Sequence, residues 1–540
     1  MVVPAGKSGQ EYQDILFPSD QRNQQTVPFK GGGSQMTVNI HNFEVGSMVE
    51  VPVAGAGYTR YGVIRWIGNL PSINKLAAGL ELEEEESACS DGTFHRKRYF
   101  TCPERRGFFA PLENCRPDSR FANWSTTDAS LNVEKDFGSM VSPEVVGVTE
   151  PPKTLEDRHC GPMRGLQGHH FSSYLDAALF SMFAFTSVFD TLLHRCRKDD
   201  DLMEYDKVQS VLRNFIVNPL RVYGFVRADR LLTLRHLLYV LSSTANLTNE
   251  EKDPEEFLNA LLQQVLKADP FLHLKPRDVQ EKKGEGAFLY QIITDKDETV
   301  KIAQVQTMLE QSFISADLIL SEVPSCLILQ MPRYGNRYKM YDMILSNLEL
   351  DVTHIVENVP HECIMCGKDV AQYECKRCYQ KGLLKDGPGI ASYCKSCNEK
   401  IHAHRNRQDH KPKPILLPRM YSHYSDQAKT VEKQLTLDKQ KMDLFAVVCI
   451  EMSHYVAFVK CGTKKDAPWC FFDSMADREG RNGYHIPAVT RCPEALEWLS
   501  KSPEEIFTAK ERGEMPEKVR RLLGDGYLCM YQNLDATLFE

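Results

Sequence analysis

Eight residues spaced as Cys363-x2-Cys366-x8-Cys375-x2-Cys378-x15-Cys394-x2-Cys397-x4-His402-x7-His410 constrain this chain more than any other feature. A CxxC turn places two thiolates on one ion with little backbone strain, and zinc takes four soft or borderline ligands tetrahedrally. Eight ligands fit two closed sites, so the spacing predicts two structural zinc ions, without the open position that a catalytic zinc keeps. The segment 361–412 should then fold around metal, and its removal should unfold the segment. The chain holds 17 cysteines, and those outside the block are scattered singly, as reduced buried thiols are. A reducing compartment, the cytoplasm, is the expectation.

A chain of 540 residues is too long for one core, and ordinary domain sizes suggest about three to four units. Residues 1–40, rich in Gln, Ser and Pro with a GGGS run, read as a disordered arm. From 41 to 117 short β-like runs broken by glycine, such as "YGVIRWIG", "AAGLELE" and "GFFAPL", predict a small barrel. Residues 118–160 read as a linker. From 161 to 540 helical patterns come first, in "SSYLDAALFSMFAFTSVFDTLL" and "DPEEFLNALLQQVLKA", and strand patterns follow beyond 320, which is an α+β arrangement carrying the zinc segment as an insertion. The formal charge of −8, with basic residues spread along the chain, argues against nucleic acid as the main partner. The opening MVVPAGKSGQ lacks an apolar signal region and no later run reaches about 18 apolar residues, so neither secretion nor a transmembrane segment is expected.

The stretch "GLQGHHFSSYLDAALF" runs from a loop of small and aromatic residues into an apolar helix, an arrangement that presents nucleophiles. Two serines, Ser172 and Ser173, occupy its turn. Far downstream, "MSHYVAFVK" supplies His454, and "FFDS" supplies Asp473 nineteen residues later. Both lie in apolar, strand-like runs. If those strands are neighbours, His454 can take a proton from the nucleophile while Asp473 fixes the imidazole tautomer.

Together these segments resemble the ubiquitin-specific proteases, whose first box reads roughly GLxNxGNTCYMNA. Gly165, Leu166, Ser173, Tyr174 and Ala177 fall in register with it, placing Ser173 where that family has its nucleophilic cysteine. "DPEEFLNALL", "PSCLILQMPRY", "SHYVAFVK" and "GYLCMY" match its later boxes in order. Within the family, "EEKDPEEFLN", "FFDSMADR" and "NCRPDSRFA" are similar to the cylindromatosis-type (CYLD-type) branch, which carries an inserted B-box. The resemblance implies a papain-like palm, thumb and fingers fold that grips ubiquitin. It also implies cysteine-dependent hydrolysis of linear and extended lysine-linked polyubiquitin, in inflammatory signalling of the NF-κB type.

Two positions depart from the family pattern: Ser173 stands for the cysteine, and Phe171 for an asparagine that helps bind the oxyanion. A hydroxyl is a far poorer nucleophile than a thiol, and losing one oxyanion donor costs about 10²–10³ in rate. Little turnover is therefore expected of this chain, and an inactive ubiquitin-binding adaptor is the alternative. The cysteine–histidine spacing is similar to that of B-box modules, and this implies cross-bracing. Cys363, Cys366, Cys394 and Cys397 would hold one ion, Cys375, Cys378, His402 and His410 the other, with His404 an alternative to either histidine.

The region from Tyr61 to Leu112 resembles an SH3-like, all-β CAP-Gly domain through Gly62, Trp66, Gly68, Gly79, Glu81, Asp91, Gly92, Arg98, Tyr99, Phe100 and Gly107. Its peptide-binding positions are Trp66, Asp91, Gly92, Tyr99 and Phe100, with two of the three aromatics expected in the core. The family's Gly-Lys-Asn-Asp-Gly groove stands here as Ala88-Cys89-Ser90-Asp91-Gly92. The resemblance implies signalling adaptors of the NEMO-like or TRAF type, or microtubule-associated tails, as partners. Perinuclear, microtubule or cilium association would accompany them.

Overall fold

The computed structural model of the chain describes residues 43, 45, 47–52, 59–70, 76–82, 86–87, 89–117, 142–169, 171–244, 252–277, 284–334, 338–380, 390–415, 417, 437–451, 454–477 and 485–534. The arm expected over residues 1–40 lies outside them. The chain divides at Ser139 and Met140 into two compact units.

The smaller unit is an antiparallel sheet of β1 (Met48–Pro52), β2 (Thr59–Asn69), β3 (Leu76–Leu82), β4 (Gly107–Pro111) and β5 (Arg116–Pro117) in the order β4-β3-β2-β1-β5. Alternation along the strands sends Val49, Val51, Ile64, Ala78, Leu80, Phe108 and Ala110 into one cluster. Ala77, Phe94, Phe100 and Phe109 form a second. Both faces of β3 are thus covered, which is why "AAGLELE" is apolar almost throughout. Gly79 permits this: a Cβ there would lie 2.5 Å from the Phe100 ring.

In the larger unit helices dominate up to about residue 266 and strands prevail beyond residue 320, with further helices at 395–402 and 493–525. Its elements include β6 (Gly161–Pro162), α1 (Ser173–Phe183), α2 (Pro254–Leu258), β7 (Tyr290–Gln291), α3 (Val305–Ala316), β8 (Cys326–Gln330), β9 (Glu349–Asp351), α4 (Lys395–His402), β10 (Lys441–Glu451), β11 (His454–Lys460), β12 (Trp469–Asp477), β13 (Ile486–Arg491), α5 (Glu517–Asp525) and β14 (Gly526–Gln532). The main sheet runs β7-β8-β14-β10-β11-β12-β13-β6, with β9 added beside β10. β8 and β14 are buried along their whole length, so they read as unbroken apolar runs. α1, buried at every position, lies on this sheet and stacks Phe180 on Phe472 with ring centroids 4.1 Å apart.

The apolar stretch from Ser172 to Leu193 is not one helix. α1 stops at Phe183, and a short helix resumes at Thr191–His194. Buried Arg221 accounts for the break: its guanidinium donates to the carbonyls of Phe183 (2.9 Å) and Thr186 (2.9 Å) and pairs bidentately with Asp190 (2.6 and 2.9 Å). A cation on the last carbonyls satisfies acceptors that the helix cannot. Arg221 also donates to Thr149 O (2.6 Å), while Asn218 donates to Val145 O and Gly147 O, both at 2.9 Å. The stretch read as a linker is therefore held against the larger unit from Ser142 onward, because buried side-chain amides and guanidinium capture its backbone.

The cysteine–histidine segment lies between β9 and β10, whose register pairs Glu349 with Asp443 and Asp351 with Lys441. It is tied down by Arg277 to Glu374 at 2.7 Å and Lys413 to Asp317 at 3.2 Å. Arg221→Ala should strand buried carbonyls and a carboxylate together, costing about 3–5 kcal/mol. A shift of the urea midpoint by much less than that would assign the break in α1 to another cause.

Candidate active site and metal centres

The loop before α1 is fixed from several sides. Gly165–Leu166 pair in parallel with Phe225–Val226, and Gln167 Nε2 donates to His485 O at 3.3 Å. Gly168 N donates to Ser474 O at 3.1 Å, and a Cβ on Gly168 would lie 2.6 Å from that oxygen. Only glycine lets the loop approach β12 so closely. Phe171 then adopts φ 21°, a left-handed conformation unusual for a bulky side chain. Ser172 closes the turn: its Oγ accepts from His169 N (2.9 Å) and donates to Asp176 Oδ2 (2.6 Å).

Ser173 is the first residue of α1, and its buried Oγ accepts from Tyr455 N at 3.1 Å. Helix and sheet thus meet at the residue following His454. His454 begins β11 and Asp473 lies on the adjacent antiparallel β12. The imidazole Nε2 stands 2.8 Å from Asp473 Oδ1, which also accepts from Met475 N at 2.8 Å. A carboxylate facing Nε2 holds the proton there and leaves Nδ1 as the ring acceptor. Burial alone raises the Asp473 carboxyl, but the His454 hydrogen bond and charge, the Met475 amide and nearby Arg521 together hold it below its usual range. The structure thus brings His454 and Asp473, expected as base and orienter, into contact, with Ser173 hydrogen-bonded to the amide one residue beyond His454.

Sequence reasoning passed over Asp176. It is fully buried, and burial pushes its carboxyl up to about 7 despite hydrogen bonding with Ser172 and Ser474. A lone carboxylate on an otherwise apolar helix, four residues after a serine, was the available signal. It braces the turn that carries residue 173.

The eight metal-ligating candidates form two groups, Cys363, Cys366, Cys394, Cys397 and Cys375, Cys378, His402, His410, with ligand atoms in each within 4.8 Å of one another. Four ligands around one tetrahedral ion sit about 3.8 Å apart, so each group fits an ion. Cys378 Sγ lies 3.2 Å from His410 Nδ1 and 3.5 Å from His402 Nε2. His402 Nδ1 donates to Asn398 O at 2.9 Å, which fixes Nε2 as the ligating nitrogen. His404 takes no part: it is exposed, and its Nδ1 accepts from Asn406 N.

In the smaller unit Trp66 and Tyr99 meet edge to face at 4.8 Å and remain partly exposed, while Phe100 is buried against Phe109. Of the three aromatics Phe100 is buried, while Trp66 and Tyr99 pack against the same apolar cluster and stay half-buried. Gly92, at φ 91°, accepts from Tyr99 N at 3.0 Å, and Asp91 pairs with Arg98.

For Asp176 the folded pKa lies above the unfolded value of 3.8, so its stabilising contribution is complete below pH 3.8 and is lost as pH rises toward about 7. Asp176→Asn should therefore gain stability over the parent across that window, by up to about 4 kcal/mol. Urea unfolding of both proteins at pH 5 and pH 8 measures this; a gap that does not change with pH would contradict it.

Two family descriptions match the sequence: the CAP-Gly domain over residues 45–115 and ubiquitin carboxyl-terminal hydrolase over residues 164–481. The chain is 44% identical over 510 residues to the "Ubiquitin carboxyl-terminal hydrolase CYLD" of Bos taurus, covering 93% of this chain and 52% of that protein. It is also 44% identical to that of Homo sapiens, covering 93% and 51%. The chain spans about half the length of these curated relatives. Among solved structures, "Structure of the Ubp8-Sgf11-Sgf73-Sus1 SAGA DUB module" aligns at a TM-score of 0.33 and 12% identity over 70% of this chain and 68% of that one. Since the hydrolase match takes in α1, β11 and β12 and extends over more than half of the sequence, this chain belongs to the ubiquitin carboxyl-terminal hydrolase family, as a CYLD-like member with a CAP-Gly domain.

Proposed function

We propose that this chain binds linear and extended lysine-linked polyubiquitin and cleaves it only at a severely reduced rate. It would retain the grip of a cysteine deubiquitinase while lacking its nucleophile. The observation that carries the reading is the position of Ser173: its Oγ is held by the amide next to His454, whose Nε2 is held in turn by Asp473. In a cysteine form, His454 Nδ1 would receive the thiol proton and Asp473 would stabilise the imidazolium, giving a thiolate–imidazolium pair. A serine hydroxyl yields no comparable anion at neutral pH. Phe171 has no side-chain donor for an oxyanion, a loss of about 10²–10³ in rate by itself.

An adaptor is the second reading, favoured by the fact that the loop differs at Phe171 as well as at Ser173. A block engineered into an enzyme would need only one of these changes. The partly exposed Trp66–Tyr99 pair supports recognition of a peptide segment by the CAP-Gly domain, with NEMO-like or TRAF-type signalling adaptors, or microtubule-associated tails, as the partner classes. The two ligand groups support structural zinc, and a reducing, cytoplasmic setting suits their thiolates. No described helix is long and apolar enough to cross a membrane.

Linear diubiquitin on a gel tests the reading. The chain as written should bind without appreciable cleavage, and Phe171→Asn with Ser173→Cys should restore hydrolysis by at least about 10³-fold. A folded double variant that binds but stays inert would show that more than the nucleophile loop has decayed; absence of binding would remove the proposal. Metal analysis should find two zinc ions per chain, and their chelation should unfold residues 361–412; a chain folded there without zinc would refute the structural role.

A further inference from the structure

His454 occupies a mechanically exposed position. It is the first residue of β11, and among the described residues its hydrogen bond with Asp473 orients the ring. A base placed at a strand end needs a second support for its backbone. α5 supplies one from the opposite side. Arg521 on α5 donates through Nη2 to His454 O at 3.5 Å, and its Nε lies 4.0 Å from Glu451 Oε2 on the last residue of β10. One guanidinium therefore bridges the end of β10 and the start of β11.

The helix carrying it is itself anchored. Val519, Leu522 and Leu523 are buried in the main core. At its C-terminal end, buried Arg333 donates to Gly526 O at 2.8 Å and to Gly524 O, while Lys339 donates to Gly524 O at 2.9 Å and pairs with Asp525. Cations on the final carbonyls of a helix fix its end and oppose its dipole. A rigid line thus runs from Arg333 through α5 to Arg521 and on to the backbone of His454. The Arg521 side chain is only 20% exposed, so its charge is weakly screened.

We propose that Arg521 is a positioning residue for the His454–Asp473 pair, holding the adjoining ends of β10 and β11 in place so that the imidazole keeps its Nε2 hydrogen bond to Asp473. This rests on the reading of His454 and Asp473 as base and orienter. Arg521 touches neither the nucleophile position nor the ring, and it acts through the His454 carbonyl and the field at Asp473, which its charge helps hold below the ordinary carboxyl range.

The test uses the chain as written, labelled with ¹⁵N-histidine, and follows exchange of the His454 Nε2 proton, assigned by its disappearance in His454→Gln. Arg521→Gln and Arg521→Met should each speed that exchange by about tenfold or more, while Arg521→Lys should keep it close to the parent rate; the unfolding midpoint should not move. An unchanged exchange rate in the neutral variants would overturn the proposal. Equal damage from Lys would overturn the role of charge. Failure of both neutral variants to fold would assign Arg521 to the fold and overturn it as well. In a Ser173→Cys, Phe171→Asn background that cleaves linear diubiquitin, Arg521→Gln should lower kcat by about tenfold and leave KM unchanged. If that background does not cleave, more than the nucleophile loop has decayed, whereas the proton-exchange measurement still decides the place of Arg521.

Discussion

Everything about the site follows from the antiparallel register that sets Ala457 opposite Phe472. Continued to the strand end, it makes His454 and Asp473 diagonal neighbours on one face of the sheet, within reach of a 2.8 Å hydrogen bond. A slip of one residue would send the two side chains to opposite faces. The register is secured by what lies on either side. α1 stacks Phe180 on Phe472, the residue before Asp473, and Gly168 N donates to the carbonyl of Ser474, the residue after it. Packing that serves stability thus also fixes the geometry of a proton acceptor.

Around that pair the electrostatics are divided between two carboxylates of opposite character. Asp473 is surrounded by donors and cations and stays ionised. Asp176, a short way below, is fully buried and holds its proton far more strongly. The first orients an imidazole; the second braces a turn. Their separation arises from desolvation on one side and hydrogen bonding on the other, not from any difference in residue type. The loop before α1 is well fastened, and it carries Phe171 and Ser173 at the positions that resemble the family's amide and thiol.

Much of this was legible in the sequence where spacing or strict alternation carries the information. The cysteine–histidine intervals announced eight ligand candidates, and their division into two cross-braced groups came from the likeness of that spacing to B-box modules. His454 and Asp473 stood out as polar residues in apolar strand runs. What composition could not show were effects of distant parts of the chain. The break after Phe183 depends on Arg221, and the capture of residues 142–149 depends on Arg221 and Asn218; neither leaves a local trace in the segments affected. Phe100, Tyr99 and Trp66 look alike in sequence and were divided between core and surface by the turn at Gly92. Arg521 was invisible because a carbonyl contact carries no residue-type signature on the accepting side.

The placement of the cysteine–histidine segment has a consequence for how such a chain can change. β9 and β10 are adjacent antiparallel strands whose ends, Asp351 and Lys441, face each other. Topologically, everything between them is a single hairpin connection grown to roughly ninety residues. Lengthening a closed loop costs only about 0.6 kcal/mol for each doubling, and a segment with its own metal-centred core repays even that. The sheet imposes one boundary condition on the insert: that it leave and return one strand spacing apart. Any module meeting that condition could be grafted, exchanged or trimmed there while the pairing of β11 with β12 stays as it is. The palm and its insert are thus free to diverge at different rates within one continuous chain.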